Sequence, residues 1–183
     1  MLNLMLLRHA KSSWAEAGRE DSDRPLNGRG KRAAVAVGRY MASNDLVPQL
    51  VLCSPARRAK ETWGLLAGEL TTFPAILIVA EIYNFGDGTA LMECLRRKAG
   101  AVQSLSLVGH NPSIGRLAQI LAGKGNAKLR ERLEKKYPTA ALAVIGFDLD
   151  NWGSLAAGSG TLLRFVRPRD IIDDNDAPHA HSS

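Results

Sequence analysis

Short runs of apolar residues alternate along the chain with longer segments in which apolar and polar positions are mixed. Short apolar runs bounded by turn residues are typical of buried strands, and the longer mixed segments are typical of helices. The predicted strands cover residues 2–7, 49–53, 75–79, 104–108, 139–148 and 160–166. The predicted helices cover residues 29–43, 56–70, 90–98, 112–121 and 128–136.

This alternation predicts an α/β fold with three layers, in which a mostly parallel central sheet has helices on both faces. The last two strands can instead form an antiparallel pair across the turn at residues 150–158. The length of 183 residues suits one domain, which we assign to residues 1–169. Residues 170–183 carry four Asp and no Lys or Arg, and they are predicted to form a disordered acidic tail.

The net charge of the chain favours anionic partners. The sequence has 24 basic and 18 acidic residues, a net charge of +6, and four of the acidic residues lie in the tail. The remaining body is therefore more basic than the whole, which suits nucleic acid, acidic lipid or phosphorylated molecules. The scattered basic residues and an aromatic content of only 5% argue against a nucleic-acid surface built on stacking.

The cysteines and the apolar runs narrow the class of protein further. Cys53 and Cys94 lack C-x-x-C spacing, so neither a disulfide scaffold nor a zinc site is predicted. The N-terminal apolar run is short and lacks a basic leader, and no stretch approaches the length of a membrane span. We therefore expect a cytoplasmic protein that does not associate with membranes.

Polar residues that can act as a nucleophile or bind an anion follow three of the predicted strands. Arg8 and His9 follow the first strand, Ser54 follows the second, and His110 follows the strand that ends at residue 108. The carboxyl ends of parallel strands share one edge of a sheet, and ligands of open α/β sheets bind there. An imidazole can act as a nucleophile, and guanidinium pairs well with phosphate or carboxylate oxygens.

The starts of two predicted helices also point to an anion site at this edge. Ser54-Pro55 and Asn111-Pro112 each match an N-cap residue followed by proline at the first helical position. Such helix starts would direct free backbone N–H groups at a bound anion. Arg57 and Arg58 both lie in the first turn of the second helix, and neighbours on a helix point about 100° apart. Helix geometry alone does not decide which of the two faces the site.

Three segments together resemble the histidine phosphatase superfamily: residues 7–10 (Leu-Arg-His-Ala), 54–62 (Ser-Pro-Ala-Arg-Arg-Ala-Lys-Glu-Thr) and 109–111 (Gly-His-Asn). The hallmark of that superfamily is an Arg-His-Gly-type motif, and Ala10 replaces the glycine here. The short length and residues 23–30 are most similar to the SixA-type phosphohistidine phosphatases. The resemblance covers residues 4–166, implies a phosphoglycerate mutase-like fold and selects Arg58 as the arginine of the pocket.

The resemblance implies a catalytic role for four of these residues. His9 would attack phosphorus and form a phosphohistidine intermediate, which water would then hydrolyse. Arg8 and Arg58 would neutralise phosphate oxygens, and His110 would add a further donor as an imidazolium. Phosphoryl transfer depends mainly on positioning and charge stabilisation, so no metal or other cofactor is expected.

The source of the leaving-group proton stays open. An alkoxide leaves badly without a general acid, whereas an imidazole, with a pKa of about 6.5, is easily protonated. The resemblance suggests a carboxylate near the end of the third strand, where Glu81 lies, and Asp21 and Asp23 are the alternatives. It also makes Arg24 a candidate phosphate contact at the rim of the site.

The leading hypothesis is a metal-independent phosphatase acting on phosphohistidine in a protein, for example a phosphorelay histidine-phosphotransfer domain. One alternative is a phosphatase for small phosphoesters, which would require a working acid. Another is a non-catalytic module that binds phosphorylated proteins or nucleic acid. The intact set of Arg8, His9, Arg58 and His110 favours catalysis, and the short chain argues against a phosphoglycerate mutase.

Overall fold

The computed structural model describes residues 1–14, 18 and 20–172, and within these ranges it centres on a seven-stranded sheet. The strands lie in the order β3-β2-β4-β1-β6-β7-β5. Strands β1 to β4 pair in parallel, β6 runs antiparallel to both β1 and β7, and β5 pairs in parallel with β7. Their bounds are Leu2–Arg8, Leu50–Cys53, Ala75–Ile78, Ser104–Gly109, Ala122–Gly125, Leu142–Phe147 and Gly160–Val166 for β1 to β7.

Five α-helices cover the two faces of this sheet in the described part of the chain. Because strand side chains alternate between faces, Met5 and Leu7 of β1 pack with α1 and α2, whereas Leu4 and Leu6 pack with α3, α4 and α5. Burial on both faces explains the apolar run at the N-terminus, which only Asn3 interrupts. The helices are α1 (Gly28–Ser43), α2 (Arg57–Ala67), α3 (Thr89–Lys98), α4 (Ser113–Leu121) and α5 (Ala127–Lys135). The predicted three-layer α/β fold is confirmed.

The C-terminal half of the sheet confirms one predicted strand pairing and contains one strand that was not predicted. The antiparallel pairing of the last two strands is confirmed, since β6 pairs antiparallel with β7. Strand β5 was not predicted, because its residues Ala-Gly-Lys-Gly carry almost no apolar signal. It forms where glycine lets two backbones meet: a Cβ at Gly123 would lie 2.2 Å from the Gly158 carbonyl oxygen.

The predicted capping roles of Ser54 and Asn111 are wrong. Helix α2 begins after Ala56 and α4 begins after Pro112, and neither N-cap residue makes a side-chain capping bond. The Ser54 hydroxyl accepts from the Ala56 N–H at 3.3 Å, before α2 begins, and also bonds His110, whereas the Asn111 amide bonds the Tyr137 carbonyl. Tertiary partners outcompete the local caps that the sequence pattern predicts.

Helix α1 is held tightly against the loop that follows β1. The Asn27 side chain caps the helix by accepting a hydrogen bond from the Gly30 N–H at 2.8 Å. A Cβ at Gly30 would lie 2.1 Å from the Lys11 carbonyl oxygen, so only glycine permits this approach. The Asn-x-x-Gly pattern therefore brings the first turn of α1 to the same edge of the sheet as Arg8 and His9.

Part of the predicted acidic tail can be placed. Asp170, its first residue, lies in a 3₁₀ turn and pairs with Arg132 at 2.5 Å and with Arg167 at 2.7 Å. Residues 173–183 lie outside the described residues. Across the described ranges, no helix combines the length and apolarity needed to cross a membrane.

Candidate active site

The three strand-end segments singled out in the sequence meet at one edge of the sheet. Strands β2, β4 and β1 are neighbours and parallel, so Ser54, His110 and His9 emerge side by side. Hydrogen bonds from the His9 N–H to the Gly109 carbonyl and from the Ser54 N–H to the Val108 carbonyl, both 3.0 Å, extend the strand pairing into the site. The ring centroids of His9 and His110 are 5.0 Å apart.

His9 has a defined tautomer in this arrangement. Its Nδ1 lies 2.7 Å from the Ala10 carbonyl oxygen, and a carbonyl can only accept a hydrogen bond. Nδ1 therefore carries the proton, and Nε2 keeps its lone pair. Burial, reinforced by the positive charges of Arg58 and Arg8, lowers the pKa of His9 to about 4. The ring is thus neutral at neutral pH, with Nε2 able to act as a nucleophile.

The structure places Arg58, and not Arg57, beside His9. The Arg58 side chain is only 3% exposed, and its Nε donates to His9 Nε2 at 3.4 Å. Arg57 faces solvent and pairs with Glu61 at 2.6 Å. The choice that helix geometry left open is therefore decided by burial.

His110 is anchored by the serine of the second segment. Its Nε2 lies 2.7 Å from the Ser54 hydroxyl, and its buried Nδ1 has no hydrogen-bond partner among the described residues. Burial and the positive charge of neighbouring groups, chiefly His9 and Arg58, lower the pKa of His110 to about 3. Burial is the larger cause and favours the neutral ring at neutral pH, and the imidazolium that the resemblance implies stays a prediction.

Arg8 is tied to the segment that carries His110. Its Nη1 donates to the Tyr137 carbonyl at 2.8 Å, and the Asn111 side-chain amide donates to the same oxygen at 2.9 Å. The Nε of Arg8 is buried and lacks a partner among the described residues. One carbonyl thus holds together two segments that are about a hundred residues apart in sequence.

Thr62, the last residue of the segment 54–62, joins helix α2 to the backbone that follows His9. Its hydroxyl accepts from the Ala10 N–H at 2.9 Å and donates to the Arg58 carbonyl at 2.6 Å. Thr62 and Arg58 lie one helical turn apart on the buried side of α2. A single helix face therefore supplies Arg58 and fixes the backbone that follows His9.

The carboxylate of Asp21 already forms an ion pair with the guanidinium of Arg58. Asp21 Oδ2 accepts from Arg58 Nη2 at 2.8 Å and from the Tyr83 hydroxyl at 2.6 Å, and Oδ1 accepts from Arg24 Nη1 at 2.8 Å. Partial burial raises the pKa of Asp21, but the bonds from Tyr83, Arg24 and Arg58 outweigh it and hold that pKa well below its usual range. An ionised carboxylate therefore sits where Arg58 could bind a phosphoryl group.

The aromatic rings of Tyr83 and Phe85 pack against His110, and the sequence analysis did not predict this contact. The ring centroids of Tyr83 and Phe85 lie 5.2 Å and 5.3 Å from that of His110, and 5.1 Å from each other. Both follow β3, with one residue between them. This alternation of aromatic residues just after a strand was the signal available in the sequence.

Comparison with known proteins agrees with this geometry. Residues 4–81 match the model of the histidine phosphatase superfamily (branch 1). An uncharacterized protein of Mycobacterium tuberculosis is 35% identical over 165 residues, which cover 89% of this chain and 100% of that protein. The chain belongs to the histidine phosphatase superfamily.

Solved structures of this superfamily share the fold. The structure of a protein from Agrobacterium tumefaciens named phosphohistidine phosphatase SixA is 28% identical, with a TM-score of 0.76 over 91% of this chain and 98% of that chain. A second structure, the protein histidine phosphatase SixA complexed with tungstate, is 22% identical, with a TM-score of 0.74 over 93% and 100% of the two chains. The phosphoglycerate mutase-like fold expected from the resemblance is thereby confirmed.

The structure does not bring Glu81, the candidate acid of this superfamily member, to the histidines. Its carboxylate is exposed and lies 3.0 Å from Arg97 and 3.8 Å from Lys98, both on α3. The hydrogen bond from Arg97 lowers its pKa, so the group is ionised at neutral pH. None of its contacts within the described residues involves His9 or His110, and its role as an acid stays a prediction without structural support.

Arg24, the candidate rim contact, braces the loop that carries Asp21. Its Nε donates to the Ser13 carbonyl at 3.1 Å, its Nη2 to the Ser12 hydroxyl at 2.7 Å, and its Nη1 to Asp21. The guanidinium also lies 3.2 Å from the centre of the Trp14 ring. These contacts tie Asp21 to the residues that follow β1, and a direct contact of Arg24 with phosphate stays a prediction. Asp23, the other acid considered, is exposed in the same loop.

Cys53 is not an alternative nucleophile for this superfamily member. It is the last residue of β2, is 1% exposed, and its Sγ donates to the Ser54 carbonyl at 3.4 Å. Burial raises the pKa of its thiol to about 12. Because the thiolate is the reactive form, this cysteine is inert at neutral pH.

Proposed function

We propose that this protein is a phosphatase that hydrolyses phosphohistidine in a protein, through a phosphohistidine intermediate on His9. The observation that carries the proposal is the state of His9. Its Nδ1 is fixed as a donor to Ala10, its Nε2 keeps a lone pair, and a buried arginine lies 3.4 Å from that Nε2. A neutral imidazole beside a guanidinium suits attack on a phosphoryl group.

The proposed reaction has two displacements at phosphorus. In the first, His9 Nε2 forms a bond to phosphorus while the bond to the substrate imidazole breaks, and that imidazole keeps or gains a proton. In the second, water attacks phosphorus, the bond to Nε2 breaks, and inorganic phosphate leaves. Arg8 and Arg58 stabilise the phosphoryl oxygens in both steps, which requires Asp21 to release Arg58. None of these steps requires a metal ion.

The carboxylates support phosphohistidine over small phosphoesters as the substrate. Asp21 is held ionised by Arg58, Arg24 and Tyr83, and Glu81, after β3, is held ionised by Arg97 of α3. Neither can protonate an alkoxide at neutral pH in this arrangement. An imidazole leaving group tolerates this, because its pKa of about 6.5 allows protonation from solvent.

A two-substrate comparison tests the proposal. The wild type, Glu81→Gln and His9→Ala proteins would each be given a phosphohistidine peptide and an alkyl phosphoester. We expect the wild type to favour the phosphohistidine peptide, Glu81→Gln to retain that activity, and His9→Ala to lose it. A preference for the phosphoester that collapses in Glu81→Gln would instead establish the small-molecule reading. Phosphate binding with no turnover of either substrate would support a non-catalytic module.

A further inference from the structure

A large basic cleft shares Arg8 with the candidate active site. It has a volume of about 1370 Å³. Its walls come from the first turn of α1, from α5, from the segment that precedes β6 and from the segment that follows β7. These segments lie at the same sheet edge as His9, because β6 runs antiparallel to β1 and β7 runs antiparallel to β6.

The lining of this cleft is strongly cationic. Within the described residues its only carboxylate is that of Glu131, against ten basic side chains: Arg8, Lys11, Arg29, Arg32, Lys128, Arg132, Lys135, Lys136, Arg167 and Arg169. Asp170 neutralises part of this charge by pairing with Arg132 and Arg167. The other basic side chains form no ion pair with any described residue, although Arg8 donates a hydrogen bond to the Tyr137 carbonyl.

So many unpaired cations around one concavity repel each other and attract anions. Their summed field raises the local concentration of anionic ligands and speeds association with them. The fold does not require these charges, because the side chains of Lys11, Arg29 and Lys128 are exposed and form no hydrogen bond with described residues. The arrangement therefore fits a ligand with several negative charges.

Arg8 connects this cleft to the candidate active site. It lines the cleft, and it is the residue directly before His9 on β1. An anionic ligand that fills the cleft would therefore continue, past Arg8, into the place of the phosphoryl group. The cleft is positioned to bind the part of a substrate that surrounds its phosphorylated residue.

We propose that this cleft binds an acidic polypeptide segment of the phosphoprotein substrate, next to its phosphohistidine. This inference rests on the proposed function and names the feature by which the substrate is recognised. The volume of the cleft exceeds the range of about 300–1,000 Å³ that is typical of small-molecule sites, and this favours a polymeric ligand.

The lining also distinguishes an acidic polypeptide from a nucleic acid. No described residue of the cleft is aromatic, so bases would find no ring on which to stack. Ala33, Pro138, Pro168 and Ile172 place small apolar surfaces between the cations. Carboxylates interspersed with apolar side chains match such a lining better than a uniform phosphate backbone does.

Charge reversal in the cleft, with a matched control, tests this proposal. The cleft variant is Arg29→Glu/Lys128→Glu, because both residues lie in the first turn of a helix, where the helix dipole accommodates Glu. The control variant is Arg116→Glu/Lys124→Glu, which reverses two exposed charges outside the cleft. Thermal unfolding followed by circular dichroism would establish that both variants fold.

The substrates differ only in the charge that flanks the phosphohistidine. Two phosphohistidine peptides of equal length would carry Asp and Glu, or Asn and Gln, around the phosphorylated residue, and phosphoramidate would serve as a small substrate. We expect the cleft variant to raise KM for the acidic peptide about tenfold at low salt, with kcat unchanged. KM for the neutral peptide and for phosphoramidate should not change, and the control variant should behave as the wild type does.

Binding measurements separate this inference from the proposed function. Fluorescence anisotropy with the unphosphorylated acidic peptide should show binding to the wild type and the control variant, and weaker binding to the cleft variant. Equal effects of both variants, or equal effects on both peptides, would overturn the inference, as would tighter binding of a labelled RNA oligonucleotide than of the acidic peptide. If the acidic peptide bound through the cleft but no phosphohistidine substrate was hydrolysed, the proposed function would fail and the preference for acidic polypeptide would stand.

Discussion

The neighbours of each residue in the site determine its protonation state and its burial. The Ala10 carbonyl fixes the tautomer of His9, and burial together with nearby arginines lowers its pKa, although the hydrogen bond to that carbonyl acts in the opposite direction. Arg58 is buried one residue away from the exposed Arg57. This pair provides an internal control, because the two side chains share chemistry and helix but not environment.

Replacement of each arginine by alanine should therefore have unequal effects. Arg58→Ala removes charge stabilisation at phosphorus, and we expect kcat/KM for a phosphohistidine peptide to fall about 10²- to 10³-fold. Arg57→Ala removes an exposed pair with Glu61, so kcat/KM should change by less than about twofold. Steady-state kinetics of both variants would check this, and equal losses would contradict the assignment of Arg58.

The pKa of His9 sets the expected pH dependence. With a pKa of about 4, the nucleophile stays unprotonated well below the usual histidine value of 6.5. We expect kcat/KM to remain nearly constant between about pH 5 and pH 7. Measured rates that fall about fivefold from pH 6.5 to pH 5.5 would show instead that His9 titrates with the ordinary histidine pKa of about 6.5.

The same lowered pKa has a consequence for stability. Between about pH 4 and pH 6.5 the unfolded chain binds a proton at His9 that the folded protein does not. Stability should therefore rise with pH across this window, and His110, with its pKa of about 3, adds to the trend. Urea denaturation at a series of pH values would measure it, with the slope reduced in a His9→Asn variant.

At the level of secondary structure, the ends of strands and the first turn of one helix determine the site. Strands β1, β2 and β4 each contribute the residue that follows their last pairing, and α2 contributes Arg58 and Thr62 from its buried side. The link between them is the Thr62 hydroxyl, which bonds the backbone after His9. Strand β1 and helix α2 are thereby coupled at the nucleophile.

Loss of that hydroxyl should affect both folding and catalysis. Thr62→Val keeps the shape of the side chain but leaves the buried Ala10 N–H without a partner, which costs about 1–3 kcal/mol. We expect a lower urea midpoint together with a lower kcat. Thr72→Val, at an exposed position after α2, is the control and should change neither. An unaltered Thr62→Val protein would show that the bond has no role.

The sequence predicted those strands and helices whose pattern of apolar residues is local. The apolar runs of β1 and β4 and the residues that follow them are local features, and so the meeting of His9 with His110 could be anticipated. Ser54 was misassigned as a cap because its actual partner, His110, is 56 residues away. The contact of Asp21 with Arg58 and the packing of Tyr83 on His110 also join residues that are far apart in sequence, so no local pattern predicts them.

On the scale of the whole molecule, Arg8 belongs both to the candidate active site and to the basic cleft. It directly precedes His9, and it is one of the residues that line the cleft. The net charge of +6 indicated an anionic partner but not its location. Only the folding of α1, α5 and the segment after β7 onto one edge concentrates the scattered cations.

The most direct test of the account is to identify the residue that carries phosphate during turnover. The wild type would be mixed with a phosphohistidine protein, quenched with alkali within one turnover, digested and mapped by mass spectrometry. The account predicts acid-labile, base-stable phosphate on the peptide that contains His9, and none in His9→Ala. Phosphate found on another residue, or full turnover by His9→Ala, would contradict it.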